Sequence, residues 1–171
     1  MSLDMLRFLG NYNSKINQKM NEYIKKLSEE EWNTQFSGYF NSIQAISNHI
    51  YTCDYNWLKR FSLLRKFHFI ENTNIQEGLS FKINNIDSVA DYMNKRDWLD
   101  NKIIEFIEEL NEEDLKKDLL YQDSSGIEYV RNFGLLVLHM FNHETHHRGV
   151  ISHLLEELKI DNDFSNIYDI I

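Results

Sequence analysis

The chain has 171 residues, with 18 Lys+Arg against 27 Asp+Glu for a net charge of −9, and a single cysteine, Cys53. A chain of this length buries roughly 70% of the surface its unfolded form exposes, so a core needs no disulfide, and an unpaired cysteine suits a reducing, cytoplasmic setting. An acidic balance without a Lys/Arg block excludes nucleic acid as a partner, because phosphate binding needs clustered cations to displace counterions, and no apolar run approaches the roughly 20 residues of a membrane span or forms the apolar stretch of a signal peptide.

Zero prolines and six glycines favour long helices over a many-turned β fold. Leu6, Leu9, Ile16, Met20, Tyr23 and Leu27 recur at helical spacing and predict helix one over about residues 3 to 27. The stripe Tyr39, Ile43, Ile46, Ile50, Cys53, Trp57, Phe61 and Leu64 predicts helix two over about 40 to 66. Residues 68 to 86 show no period and read as a long connection with one irregular turn. Asp87 or Ser88 offers an N-cap for helix three, whose stripe runs from Val89 to Leu110. Asp123-Ser124-Ser125-Gly126, between two apolar-polar segments, is a turn signature that could close a small β-hairpin. Phe133, Leu136, Val137, Met140, Ile151, Leu154, Leu155 and Leu158 define helix four, over about 132 to 159. The expectation is an all-α four-helix bundle forming a single domain over residues 1–171.

Five of the seven histidines fall within fifteen residues of helix four, from His139 to His153. At about 100° per residue, His147 lies in the middle of the apolar stripe and His143 on its shoulder, while His139, His146 and His153 turn outward. His49 holds the same shoulder position on helix two. His143 and His147, four residues apart, can converge on one ion, and bundle cores build metal sites from facing helices in this way. Three imidazoles leave a fourth position open, which marks a catalytic rather than a closed structural arrangement. The alternative for each histidine alone is a shoulder residue bonded to a backbone carbonyl; two imidazoles together on an apolar face call for a shared partner. His68 carries no signal. Glu144 also falls inside the stripe and needs a partner, as an acceptor for a ligand imidazole, as a general base, or as the ion-pair partner of Arg148. Cys53 could ligate but reads more readily as a small buried hydrophobe, and Asp54, near the inner side of helix two, offers either a hydrogen bond to a ligand imidazole or one that crosses between helices, with neither favoured.

His143-Glu144-Thr145-His146-His147 also matches H-E-x-x-H, the zinc-protease signature. The longer form of that motif turns the chain at a glycine seven residues after the first histidine. Val150 stands there, and the helical period continues through Leu158. On an unbroken helix His153 lies about 15 Å along the axis from His143, too far to share its ion, so peptidase activity is not expected.

Tyr12-Asn13, Leu27-Ser28-Glu29-Glu30-Glu31, Ser42 through Asn48-His49-Ile50 with Asp54 and Trp57-Leu58, and above all Asn142-His143-Glu144-Thr145-His146-His147-Arg148-Gly149 resemble the DinB/YfiT-like family of metal-dependent helical bundles. The resemblance covers most of the chain. It implies a four-helix bundle with a long crossover connection, often homodimeric, and maps the family's divalent-metal ligands onto His49, His143 and His147. Val150 replaces the glutamine that usually follows Arg-Gly. Better-understood relatives are S-transferases using the low-molecular-weight thiols bacillithiol, mycothiol or glutathione, and the family's damage-inducible label describes induction rather than DNA contact. The resemblance therefore implies a small-molecule substrate, a divalent metal such as zinc or nickel, and a thiol cofactor bound at the open position. The alternatives are metal-assisted hydrolysis with Glu144 as base, and a non-catalytic metal-binding stress protein.

Overall fold

The computed structural model describes residues 2–170. Four long helices form the bundle: α1 (Leu3–Ile24), α3 (Ile43–Phe61), α4 (Val89–Glu109) and α6 (Phe133–Glu157). Each starts at a side-chain cap. Ser2, Ser42, Ser88 and Asn132 accept a hydrogen bond from a backbone N–H of the first turn, one of the donors a helix start leaves unpaired. Both α1 and α3 pack against α4 and α6, so α1 and α3 lie across the bundle from one another.

The predicted helices are present but shorter at several ends. Helix one stops at Ile24 because Ser28 opens a separate turn, α2 (Glu29–Trp32), with a capping box in which Ser28 and Glu31 satisfy each other's backbone N–H. Helix two begins only at Ile43, after its Ser42 cap. Tyr39 is therefore no part of its stripe and stands 94% exposed in the preceding bend. A second short turn, α5 (Glu112–Lys116), follows α4 behind an Asn111 cap.

The hairpin before the last helix is present, as β1 (Asp118–Gln122) paired antiparallel with β2 (Glu128–Asn132), Leu120 facing Val130. Its turn is held by Asp123, whose carboxylate accepts from the N–H groups of Ser125 and Ile127, and closes through Gly126 at φ +85°. The crossover from α3 to α4 contains one 3-10 turn, Ile75–Glu77. Its first part drives Phe67 and Phe69 against Phe106, itself stacked on Phe61 at 5.1 Å, which plugs one end of the bundle. Its later part returns along α3, tied by Asn56, which donates to the Leu79 carbonyl and accepts from the Leu79 N–H, both at 2.9 Å. No helix among the described residues is long and apolar enough to cross a membrane.

Candidate metal centre

The α3–α6 packing brings His49 on one helix against His143 and His147 on the other. The Nε2 atoms of His49 and His143 are 3.4 Å apart, those of His143 and His147 are 2.9 Å apart, and the His49 and His147 rings lie 4.8 Å centre to centre. Burial holds all three below the usual histidine range. His143 falls to about 4 and His147 to about 3, each pushed further by its neighbouring imidazoles, and burial alone lowers His49. At neutral pH the cluster thus presents uncharged rings with lone pairs available. Two nitrogens bound to one tetrahedral ion sit about 3.3 Å apart at ordinary bond lengths; the His49–His143 and His143–His147 separations straddle that value, and His147 meets the cluster through its contact with His143.

Cys53 belongs to the same place. Its Sγ lies 3.4 Å from the His49 Nε2, one helical turn along α3. His49, Cys53 and His143 each offer a donor atom within 4.8 Å of the others, a cluster that could hold a divalent metal. The thiol is also a buried core group, as its spacing suggested, and burial pushes it up to about 12, with Asp54 adding to the effect.

Two aromatic side chains that sequence reasoning missed wall the cluster. Phe40 packs 4.7 Å from the His49 ring and edge-on to His147 at 5.2 Å, and Phe81 lies 6.2 Å from His49. Phe81 comes from the aperiodic crossover, where no helical phase points a residue anywhere, and Phe40, which the apolar period puts at the start of helix two, lies in the bend before α3. The His143 and His147 Nδ1 atoms are buried without a hydrogen-bond partner among the described residues. These rings are held by packing, not by a carboxylate behind them.

The outward histidines fall where phase put them. His139, His146 and His153 are exposed, and α6 runs unbroken from Phe133 to Glu157, which removes the geometry of the longer protease motif. His68 pairs with Glu71 at the surface.

Of the three roles weighed for Glu144, the structure displays the ion pair. Its carboxylate accepts from Arg148 at 3.0 Å, Asn13 at 2.9 Å and Asn17 at 3.1 Å, with Arg96 at 3.8 Å. It is fully buried and makes no hydrogen bond to an imidazole among the described residues. Burial would raise its pKa, yet Arg96 and the other donors hold it down to about 2. Arg96 also reaches Asp54 at 2.7 Å and Asp100 at 2.6 Å. Asp54 is thus a helix-crossing bond from α3 to α4. This polar layer beneath the histidines fixes the relative positions of all four helices, and so of the two that carry the cluster.

A sequence model of the DinB family matches residues 1–158. Protein DinB of Bacillus subtilis (strain 168) is 27% identical over 156 residues, covering 87% of this chain and 83% of the relative.

Proposed function

The chain belongs to the DinB family, and on that premise we propose that His49, His143 and His147 hold one divalent metal, zinc or nickel, and that the protein is a metal-dependent S-transferase joining a low-molecular-weight thiol to a small electrophile. The observation that carries this reading is the convergence of three neutral imidazoles, through Nε2 contacts of 3.4 and 2.9 Å, in an aromatic-walled cradle. A bound ion would supply a Lewis acid that takes up a thiol as its thiolate at neutral pH.

The chain's own residues supply the rest. His49 and His143 are half-buried, whereas His147 is buried. Phe40 and Phe81 place apolar rings on two flanks of the cluster, Phe81 at the edge that meets solvent. Glu144 and Arg148, on either side of His147 in sequence, anchor α6 to Asn13 and Asn17 of α1, a positioning role. With Glu144 sealed in that layer, the hydrolase alternative lacks the base it called for, and the transferase reading is preferred.

The reading extends to a homodimer, supported by exposed apolar side chains on the hairpin and the start of α6 (Leu120, Val130, Leu135); sedimentation velocity tests it. The activity test is to incubate metal-loaded protein with a panel of low-molecular-weight thiols and a chromogenic electrophile. Thiol-dependent conjugation that disappears on chelation is expected. Thiol-independent turnover would favour hydrolysis, and tight metal without any turnover would favour the non-catalytic reading.

A further inference from the structure

Beside the histidine cluster a cleft of about 830 Å³ opens between α3, the crossover at residues 77–82 and the hairpin, within the size range of small-molecule sites. Phe81 is shared: it lines the cleft and packs 6.2 Å from His49. On the α6 side a row of rings joins the two places, with His139 6.0 Å from His143 and 5.5 Å from Trp57. The cleft and the cluster are thus two ends of one surface.

The far end of the cleft is built around a held guanidinium. Arg60 lies over Trp57 at 4.8 Å and Tyr121 at 5.7 Å, and its Nε donates to the Gln122 carbonyl at 3.1 Å. Its two terminal nitrogens make no hydrogen bond among the described residues, so the fork that matches a carboxylate is free. Lys59 stands next to it, its ammonium donating to a backbone carbonyl, that of Glu77, at 3.3 Å. The crossover is shaped to admit this lysine. Gly78 sits at φ +72°, and a Cβ there would meet the Lys59 Cδ at 2.9 Å. Lys59 and Arg60 both line the cleft and neither forms an ion pair with a carboxylate among the described residues, so both are available to an outside anion.

We infer that this cleft binds the carboxylate-bearing end of an elongated small molecule, on Arg60 and Lys59, while the molecule's other end reaches the histidines. The charge around the cleft selects the class of anion. Lys59, Arg60 and Lys82 are offset by Glu77, Asp123 and Glu128, which leaves room for a monoanionic carboxylate but opposes a phosphate of about −1.5 to −2. The spacing selects the shape: eleven residues of α3 separate His49 from Arg60, about 16 Å of helix axis, so a compact acid cannot serve both ends. The inference deepens the proposed function and rests on it only for the reactive end.

The test uses glutathione, which carries a thiol and two carboxylates, against its diethyl ester, which keeps the thiol and loses both charges. Binding to metal-free and zinc-loaded full-length protein is followed by amide chemical shifts. The expected result in both forms is at least tenfold tighter binding of the acid than of the ester, with shifts centred on residues 79–82 and 121–124. Lys59→Gln with Arg60→Gln should abolish that preference. Because Arg60 packs on Trp57, Lys59→Gln alone and Arg60→Lys provide milder variants, each expected to weaken the acid severalfold with the amide spectrum otherwise retained. Equal binding of acid and ester, a preference that survives in the double variant, or shifts confined to another surface would overturn the inference. Failure of the metal reading shows separately, as absence of zinc from the loaded protein while the preference for the acid persists in the metal-free form.

Discussion

Arg96→Met isolates the polar layer that sets the position of the histidine-bearing helices. The side chain is 1% exposed, and its guanidinium bonds Asp54 at 2.7 Å and Asp100 at 2.6 Å while facing Glu144 at 3.8 Å. Methionine keeps much of the volume and removes the charge, leaving buried carboxylates without their shared cation. Breaking a buried pair in this way costs about 3–5 kcal/mol, a large part of the roughly 5–15 kcal/mol a domain has. At ~2–4 °C per kcal/mol for a chain of this size, the melting temperature should fall by about 6–20 °C. The pH dependence has a definite sign. Burial and the facing Glu144 already raise Asp54, and burial holds Asp100 at about 7 against the pull of Arg96. Without Arg96 both rise further, and a carboxyl raised above its unfolded value contributes stability at low pH that is lost as pH increases. Urea unfolding of wild type and variant at pH 5 and pH 8 should therefore show the larger deficit at pH 8. A deficit below about 1 kcal/mol, the scale of an exposed pair, and equal at both pH values would refute the reasoning.

Three further outcomes follow from the site. Chelation of the metal-loaded protein should lower its melting temperature yet leave the helical circular dichroism intact, because the apolar stripes hold the bundle alone; a fully unfolded metal-free chain would make the site structural. His153→Ala, at an exposed position on an unbroken α6, should leave metal content unchanged by elemental analysis and cost a few tenths of a kcal/mol at most; loss of the ion would revive the protease arrangement. As pH falls from about 6.5 towards 4, the metal-free protein should lose more stability than a metal-free His143→Ala/His147→Ala variant, a comparison that cancels the opposite effect of the raised Asp54 and Asp100. Burial keeps His143 and His147 at about 4 and 3 against an ordinary 6.5, so the unfolded chain takes up protons in that window that the native state refuses. Urea midpoints that fall equally, or further, on acidification in the double variant would contradict this.

Helical phase carried the reading a long way where burial and period coincide. His147 inward, His143 at the shoulder and His153 outward follow from 3.6 residues per turn, and His49 follows from the same argument on the facing helix. Tyr39 misled because an aromatic four residues ahead of Ile43 keeps the period although Ser42 caps the helix after it. A local hydrogen bond outweighed a pattern. The short turns α2 and α5 lie below the length at which periodicity can register, although the Ser28-to-Glu31 capping box was open to reading from the sequence. Phe40, Phe81 and the free fork of Arg60 were not legible at all. They are placed by how bends and the crossover fold back on α3, which is tertiary information. Glu144 was recognised as a buried carboxylate in need of a partner, but its further ties to Asn13, Asn17 and Arg96 depend on which helices adjoin α6.

The most direct test of the account is metal stoichiometry in His49→Ala, His143→Ala and His147→Ala beside wild type, each purified after growth with added zinc and nickel and measured by elemental analysis, with circular dichroism confirming the fold. The account predicts close to one divalent ion per wild-type chain and loss of most of it in each variant, since each removes one of the three converging imidazoles. Full occupancy in a folded His147→Ala, with loss confined to His49→Ala, His143→Ala and a companion Cys53→Ala, would contradict the three-histidine centre.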